Sequence, residues 1–300
     1  MKVAIILNGL SRKKKIFYSK LLPVIQEHHQ ADVFETQSAT DAFEFAAKAV
    51  ADNYNLILAG GGDGTIHQVV NGMLESNLPA NKLPILGILP AGSGNDFART
   101  VNTTLDPEEL KDRLNRLNSK PIDIGSVTFQ QNNIQSHSYF INVASAGMGP
   151  EVLNTMASGK KPLGSAVAYY TAILKTFRSY RCMRVNIKNS DWEWNNNLRT
   201  LAVGNGKFFG SGLCIAPEAK PDDGIFSAFV CGNVSVLDFI RYTSKLKNAK
   251  RINNQKVEYR EAKKLELTAE SPCRIEADGE LLGFLPARVE VLPGRIKFLY

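Results

Sequence analysis

Cysteine is scarce in this 300-residue chain, and the four present (Cys182, Cys214, Cys231 and Cys273) lie far apart with no Cys-x-x-Cys pair. That spacing argues against a thiolate zinc site and against a disulfide framework, and fits thiols of a reducing compartment. Long apolar runs are missing as well. No stretch approaches the roughly 18 uninterrupted apolar residues that a bilayer span needs. The opening run Val3–Leu7 is short and turns polar at Asn8-Gly9 without a small-residue cleavage site. It therefore reads as a first strand rather than a secretion signal, and the expected location is the cytoplasm. There is no internal repeat and no low-complexity tract. What is present is the composition of a folded protein, 44 % hydrophobic and 22 % charged, with length for two domains that each bury a core.

Acidic residues are outnumbered, 29 against 36 Lys and Arg, for a net charge of +7. The imbalance is local. Between Arg241 and Lys264 nine Lys or Arg stand against Glu258 and Glu261, and a second run, Arg12-Lys13-Lys14-Lys15, follows the first strand. Basic patches concentrate phosphates, nucleic acids or acidic lipid surfaces, and they also occur as plain solvated faces. The basic residues are not interleaved with a recognition motif, so no nucleic-acid partner is expected.

The first third alternates strand and helix signals: strands at Val3–Leu7, Asp32–Glu35, Asn55–Ala59 and Leu83–Leu89, helices at Ile16–His28, Asp41–Ala51 and Ile66–Leu74. Continuous apolar strands alternating with helices predict a parallel sheet covered on both faces, an α/β doubly wound (Rossmann-like) domain over about 1–125. Such sheets bind ligands at the carboxyl ends of their strands. Beyond Asp123-Ile124-Gly125 strand-like runs dominate: Tyr139–Val143, Met183–Ile187, Thr200–Val203, Ile225–Val230, Lys264–Leu267 and Arg274–Ala277. Helical patterns interrupt them only near Ser165–Phe177 and Val236–Leu246. This texture predicts an antiparallel β-sandwich over about 126–287, with Gln130–Gln135 as a hairpin tip. A final strand, Arg295–Leu299 within about 288–300, fits either domain.

Chemistry concentrates in two loops. Leu56-Ile57-Leu58-Ala59 runs into Gly60-Gly61-Gly62-Asp63-Gly64-Thr65, and a helix with an apolar stripe at Ile66, Val69, Val70, Met73 and Leu74 follows at once. Glycines let backbone N–H groups approach an anion, and the helix start adds partial positive charge, so a phosphate chain is the natural ligand. Asp63 would repel that ligand unless a divalent cation lay between, which suits Mg²⁺. A tight structural turn is the plain alternative. The second loop, Pro90-Ala91-Gly92-Ser93-Gly94-Asn95-Asp96-Phe97-Ala98-Arg99, also leaves a strand and enters a helix. Ser93 offers a hydroxyl there, and Asp96 by itself reads as the cap of a helix starting at Phe97.

Together the two loops resemble the diacylglycerol kinase catalytic domain, a family of bacterial soluble diacylglycerol kinases and lipid kinases. The resemblance continues through Asp123-Ile124-Gly125, Phe140-Ile141-Asn142, Gly147-Met148-Gly149, Gly204-Asn205-Gly206, Pro221-Asp222-Asp223-Gly224 and Asp278-Gly279-Glu280. It implies an ATP site in the first domain that includes Thr36, Gly60, Gly61, Gly62, Asp63, Gly64, Thr65, Ile66 and His67, together with Gly92, Ser93 and Asn95. It implies that Asp63, Asp96 and Asp123 form an acidic network organising Mg²⁺, and that Glu280 is the general base. It also places a structural Mg²⁺ at the carbonyls of Lys220 and Ile225 and the carboxylate of Asp223. Asp278-Gly279 and Asp222-Asp223-Gly224 are equally good turn signals on their own.

The sequence departs from the family pattern twice. The usual first-loop Asn-Pro-x-x-Gly is here Asn8-Gly9-Leu10-Ser11-Arg12, which puts a nucleotide role for that loop in doubt. His67 stands where asparagine is common and is expected near the site without a chemical task of its own. The reaction implied is transfer of the ATP γ-phosphoryl group to a hydroxyl of diacylglycerol or a related lipid alcohol, with transient contact at an anionic membrane surface. The rivals are an NAD kinase-like enzyme, which shares GGDGT, and a catalytically silent nucleotide- or membrane-binding regulator. Homo-oligomers stay open.

Overall fold

The computed structural model describes residues 1–131, 134–157 and 165–300. The centre of the expected Gln130–Gln135 tip lies outside the described residues; the strands Ser119–Gln131 and Ile134–Phe140 flank it in antiparallel register, with Gln131 opposite Ile134. The chain divides into two compact units, Met1–Ile124 with Pro293–Tyr300, and Gly125–Leu292.

The first unit is built on parallel strands Lys2–Asn8, Gln30–Thr36, Leu56–Gly61 and Ile85–Pro90. Lys2–Asn8 lies between Gln30–Thr36 and Leu56–Gly61, and Leu56–Gly61 pairs with Ile85–Pro90. The other edge of Ile85–Pro90 receives the end of the strand Glu280–Leu299, where Phe298 pairs parallel with Leu86. The strands Lys2–Asn8, Leu56–Gly61 and Ile85–Pro90 are apolar and buried through their centres because both faces are covered, whereas the edge strand Gln30–Thr36 is mixed and only partly buried. Val3, Ile5, Leu7, Leu56 and Leu58 pack with Phe17, Leu21, Ile25, Leu110, Leu114 and Leu299. The intervening Ala4, Ile6, Ile57 and Ala59 are as deeply buried, and helices Asp41–Ala51 and Asp63–Glu75 pack against each other and the sheet. Phe298 is buried and meets Phe97 edge to face at 5.7 Å.

The second unit is antiparallel. Val257–Ala262, Phe226–Gly232, Glu193–Gly204, Val143–Gly147 and Arg274–Ala277 pair in that order, and Met183–Lys188 joins Glu193–Gly204 to Lys264–Ala269. Period-two alternation splits these strands between two cores. Leu201, Val203, Ala228 and Val230 face the sandwich interior with Phe140, Val185 and Leu265. Ala202, Phe229 and Cys231 face helices Met148–Ala157, Ser165–Ser179 and Val236–Lys247 through Val152, Ile173, Phe177 and Leu246.

Three expectations change. The run Tyr139–Val143 is not one strand: pairing stops at Phe140 and resumes at Val143, because the amides between are taken by a side chain. The helix Met148–Ala157 replaces what reads in sequence as a glycine motif. The helix Pro107–Arg116 adds to the expected elements: Asp106 caps it through the N–H groups of Glu108 and Glu109 at 3.0 Å, and Pro107 opens it.

Candidate active site

Strand register sets the first unit's loops side by side. Gly61 is opposite Pro90, Asn8 opposite Thr36, and the Ala91 N–H donates to the Gly61 carbonyl at 2.9 Å. Both glycine loops thus leave the same carboxyl edge of the sheet. They touch through backbone: a Cβ on Gly92 would stand 2.2 Å from the Gly62 Cα, and one on Gly61 would stand 2.2 Å from the Thr65 hydroxyl. Only glycine permits these approaches. Gly92→Ala is therefore expected to push the loops apart at about 1–3 kcal/mol of strain, readable as a lower urea midpoint. An unaltered midpoint would mean the loops need no close fit.

Asp63 opens the helix Asp63–Glu75, and its Oδ1 accepts the N–H groups of Asp96 and Phe97 at 2.8 and 3.2 Å. It is thus the residue that caps the second loop's helix, Asp96–Thr100; the expected self-cap by Asp96 is not what forms. Asn95, at φ +54°, spends its amide on its own loop, accepting from the Gly92 N–H and donating to the Pro90 and Gly92 carbonyls. Ser93 is exposed at the tip. Gly62, the N-cap, makes no side-chain cap bond, and the first-turn amides beyond it lack carbonyl partners one turn back within the helix. The Ile66 N–H already serves the helix, donating to the Gly62 carbonyl at 3.1 Å, and the Ile66 and His67 side chains are buried. Thr65 accepts from Asn8 Nδ2 at 3.3 Å, Thr36 accepts from the Gly9 N–H at 3.3 Å, and Gly60 is buried against Leu7.

The altered first loop is fastened to the second. Ser11 donates to the Ala91 carbonyl at 2.8 Å, and the Lys13 ammonium to the Pro90 carbonyl at 3.2 Å. Asp123 is buried and accepts the Gly294 N–H at 2.8 Å, which ties the outgoing strand to the returning one. Among the described residues no group of three or more His, Cys, Asp or Glu is arranged to hold a cation.

In the second unit the motif pieces converge on Asp278. Its buried carboxylate accepts the N–H groups of Ile141, Asn142 and Val143 at 2.9, 3.0 and 3.0 Å, and its own N–H donates to the Val143 carbonyl at 2.9 Å. The Asn142 carbonyl accepts from Asn205 and Gly206 N–H at 2.8 Å, and Asn205 Nδ2 donates to the Ile141 carbonyl at 2.7 Å. Phe140-Ile141-Asn142, Gly204-Asn205-Gly206 and Asp278-Gly279-Glu280 are therefore one knot. Asp278 and Gly279 both have positive φ, +50° and +89°, and Glu280 emerges from the turn exposed.

Sequence reading missed Glu276. It is completely buried, bonded by the Ser145 hydroxyl, and accepts the Gly279 N–H at 2.9 Å, so it steadies the turn from beneath. Burial pushes its carboxyl up from 4.5 to about 8; the bonds from Ser145 and Gly279 oppose the rise, and Asp278 and Glu280 add to it. The folded state then holds a proton that the unfolded chain releases above pH 4.5. This stabilisation is complete below 4.5 and is lost as pH rises towards 8, at roughly 1.4 kcal/mol per pH unit from this group. Glu276→Gln mimics the protonated acid, and its stability between pH 5 and 8 is expected to be flatter than the parent's by that slope in urea titrations. Parallel profiles would show the acid is not the source.

Asp223 is exposed, and its Oδ1 accepts the Ile225 N–H at 3.1 Å around Gly224 at φ +73°; Lys220 is exposed nearby in sequence. The structure thus joins Asp223 to Ile225 as a side-chain-closed turn.

The family model described as "Diacylglycerol kinase catalytic domain" matches residues 2–127, and that described as "YegS C-terminal NAD kinase beta sandwich-like domain" matches residues 142–300. A Bacillus subtilis (strain 168) protein named "Diacylglycerol kinase" is 30 % identical over 292 residues, covering 95 % of this chain and 92 % of the relative. The chain belongs to the diacylglycerol kinase catalytic-domain family. A second relative in the family, "Probable lipid kinase YegS-like" of Serratia proteamaculans (strain 568), is 29 % identical over 98 % of this chain and 92 % of its own length. A crystal structure of a diacylglycerol kinase from Bacillus anthracis str. Sterne shares the fold, with a TM-score of 0.73 and 20 % identity over 100 % of this chain and 96 % of that one. The family's two-domain plan, a catalytic domain followed by a β-sandwich-like domain, is the plan of this chain. No helix among the described residues is long and apolar enough to cross a membrane.

Proposed function

We propose that this protein is a lipid kinase that transfers the γ-phosphoryl group of ATP to a hydroxyl of diacylglycerol or a related lipid alcohol. The observation that carries this reading is the pair of glycine loops packed backbone to backbone at the carboxyl edge of the parallel sheet, with an uncapped helix start at Gly62. Unused amides at such a start favour a phosphate chain. Gly62, Gly64 and Thr65 would supply them, with Thr36 and Ser93 beside the nucleotide and Gly61, Asp63, Gly92 and Asn95 holding the loops in shape.

Among the described residues the donors do not make an all-protein magnesium cage; they suit an ion that arrives on the phosphates and keeps its waters, near Asp63, Asp96 and Asp123. Bound there, Mg²⁺ would offset negative charge on the phosphates. Lys220 and Ile225 carbonyls with the Asp223 carboxylate remain the candidate site for a second, structural Mg²⁺.

In the transfer the lipid hydroxyl oxygen forms a bond to the γ-phosphorus as the bond to the bridging oxygen breaks and ADP leaves. Glu280 takes the hydroxyl proton and passes it to water. The exposed basic residues Arg241, Lys245 and Lys247, with Leu237 and Ile240 exposed on the same helix and Lys250 just beyond it, suit contact with an anionic membrane surface. Sedimentation with vesicles is expected to rise with anionic lipid and fall with salt; indifference to both would remove that role.

The description of residues 142–300 as NAD kinase-like keeps one other acceptor in view. Labelled ATP offered with a panel of lipid alcohols and, separately, with NAD tests both. Phosphate is expected in the lipid, and label in NAD alone would overturn the lipid reading.

A further inference from the structure

The first unit holds a second cleft, open to solvent and separate from the glycine amides. It lies between Lys13 and the segment that runs from Asn95 through the short helix Asp96–Thr100 to Leu105. Its volume is about 510 Å³, within the range of about 300–1,000 Å³ common for small-molecule sites. Neither Asp63 nor any glycine of the two loops lines it.

Among the described residues no carboxylate lines this cleft, whereas Lys13 and Arg99 both do. The Lys13 ammonium is aimed by the Pro90 carbonyl at 3.2 Å, and Arg99 turns Nε and Nη2 to the Gly94 carbonyl at 3.3 and 3.2 Å, which leaves its Nη1 edge. These neutral oxygens orient the two cations without discharging them. Asp96 stands 3.8 Å from Arg99 Nε, at the outer limit of an ion pair.

An independent observation lies beneath Thr103, which also lines the cleft. Arg113 is only 7 % exposed, and its Nη1 donates to the Thr103 hydroxyl at 3.4 Å. Its Nε meets Glu109 only at 3.7 Å, and its Nη2 has no hydrogen-bond partner. Glu109 in turn is bonded by the N–H and hydroxyl of Thr104. A buried guanidinium paired this incompletely favours further negative charge close by. Because the Thr103 oxygen accepts from Arg113, its own O–H is left to donate.

We propose that this cleft binds a phosphate monoester of a small polar molecule, with Lys13, Arg99 and the Thr103 hydroxyl around the phosphate and Asn102 beside the ester body. A phosphate monoester carries close to two negative charges at neutral pH and three strong acceptor oxygens, against one charge on a sulfate ester. The site uses neither the glycine amides nor Glu280, so it stands apart from the kinase reading. Its ligand has two sources, a soluble phosphate ester or the head of a phosphorylated lipid.

The experiment is calorimetric titration of the full chain with sn-glycerol 3-phosphate, in the absence of nucleotide. Saturable binding is expected, at least tenfold tighter than that of glycerol 3-sulfate. Asn102→Asp puts a carboxylate in the cleft at a residue whose φ of +52° aspartate tolerates, so the fold should keep its parental Tm while affinity falls about tenfold. Arg99→Gln should weaken binding to a similar extent. Glycerol 3-phosphate should still bind when a non-hydrolysable ATP analogue is saturating. Absence of binding, parental affinity in both variants, equal affinity for the sulfate, or complete displacement by the analogue overturns the proposal. Lysophosphatidate below its micellar concentration separates the sources: a tenfold gain over glycerol 3-phosphate assigns the site to a lipid head, and equal affinity assigns it to a soluble ester.

Discussion

Glu280→Gln is expected to lower kcat by about 10²–10⁴-fold, the usual contribution of a positioned proton acceptor, while Tm and nucleotide affinity stay at parental values. The side chain is exposed at the start of the strand Glu280–Leu299, and no hydrogen bond or ion pair reaches its carboxylate among the described residues. The fold therefore loses little when the charge is removed. Glutamine keeps the shape and cannot accept the proton. Initial rates with labelled ATP, alongside a thermal melt and a nucleotide titration, separate these quantities. A parental kcat would remove Glu280 from the reaction.

Asp278→Ala should do the reverse, acting first on stability. Three buried N–H groups lose their acceptor, and an unpaired buried donor costs about 1–3 kcal/mol each before relaxation. Alanine is also poorly suited to φ +50°, a region that Asp and Asn tolerate. A loss of roughly 3–5 kcal/mol is expected, within the range for breaking a buried charged network. Asp278→Asn tolerates the backbone and keeps one acceptor, so its loss should be about half. Urea midpoints at constant m-value give the comparison; a midpoint for Asp278→Ala within error of the parent's would mean water satisfies those amides. The turn bearing Glu280 hangs on this carboxylate, so catalysis should fall with stability in both variants.

The contrast between these two acids marks what a sequence discloses. Local patterns carried the first unit: apolar strands, the helix Asp41–Ala51, and the glycine loops with their following helices are all written in consecutive residues. The helix Pro107–Arg116 is written there as well, in Asp106-Pro107-Glu108-Glu109. Contacts made at a distance were not legible. Asp63 reads locally as a cation partner, yet one of its oxygens caps a helix 33 residues onward. Asp278 reads locally as a turn residue, yet its bonds go to amides more than 130 positions earlier, and those bonds interrupt the strand expected at Tyr139–Val143. Glu276 gives no sign at all, since an acid on an alternating strand is ordinarily assigned to the wet face. Only the fold shows that its side points inward to Ser145.

The strand that starts at Glu280 finishes beside Leu86, so Met1–Ile124 shares its sheet with Phe298 and Leu299. During synthesis Met1–Ile124 must wait for Pro293–Tyr300, which is made long after it. Until Pro293–Tyr300 leaves the ribosome, Phe97 lacks its aromatic neighbour and Ile85–Pro90 has an open hydrogen-bonding edge. Assembly of the sheet that carries the glycine loops is in this way coupled to synthesis of Pro293–Tyr300, and a polypeptide stopped before that segment would present an adhesive margin to the cell's chaperones instead of a working half.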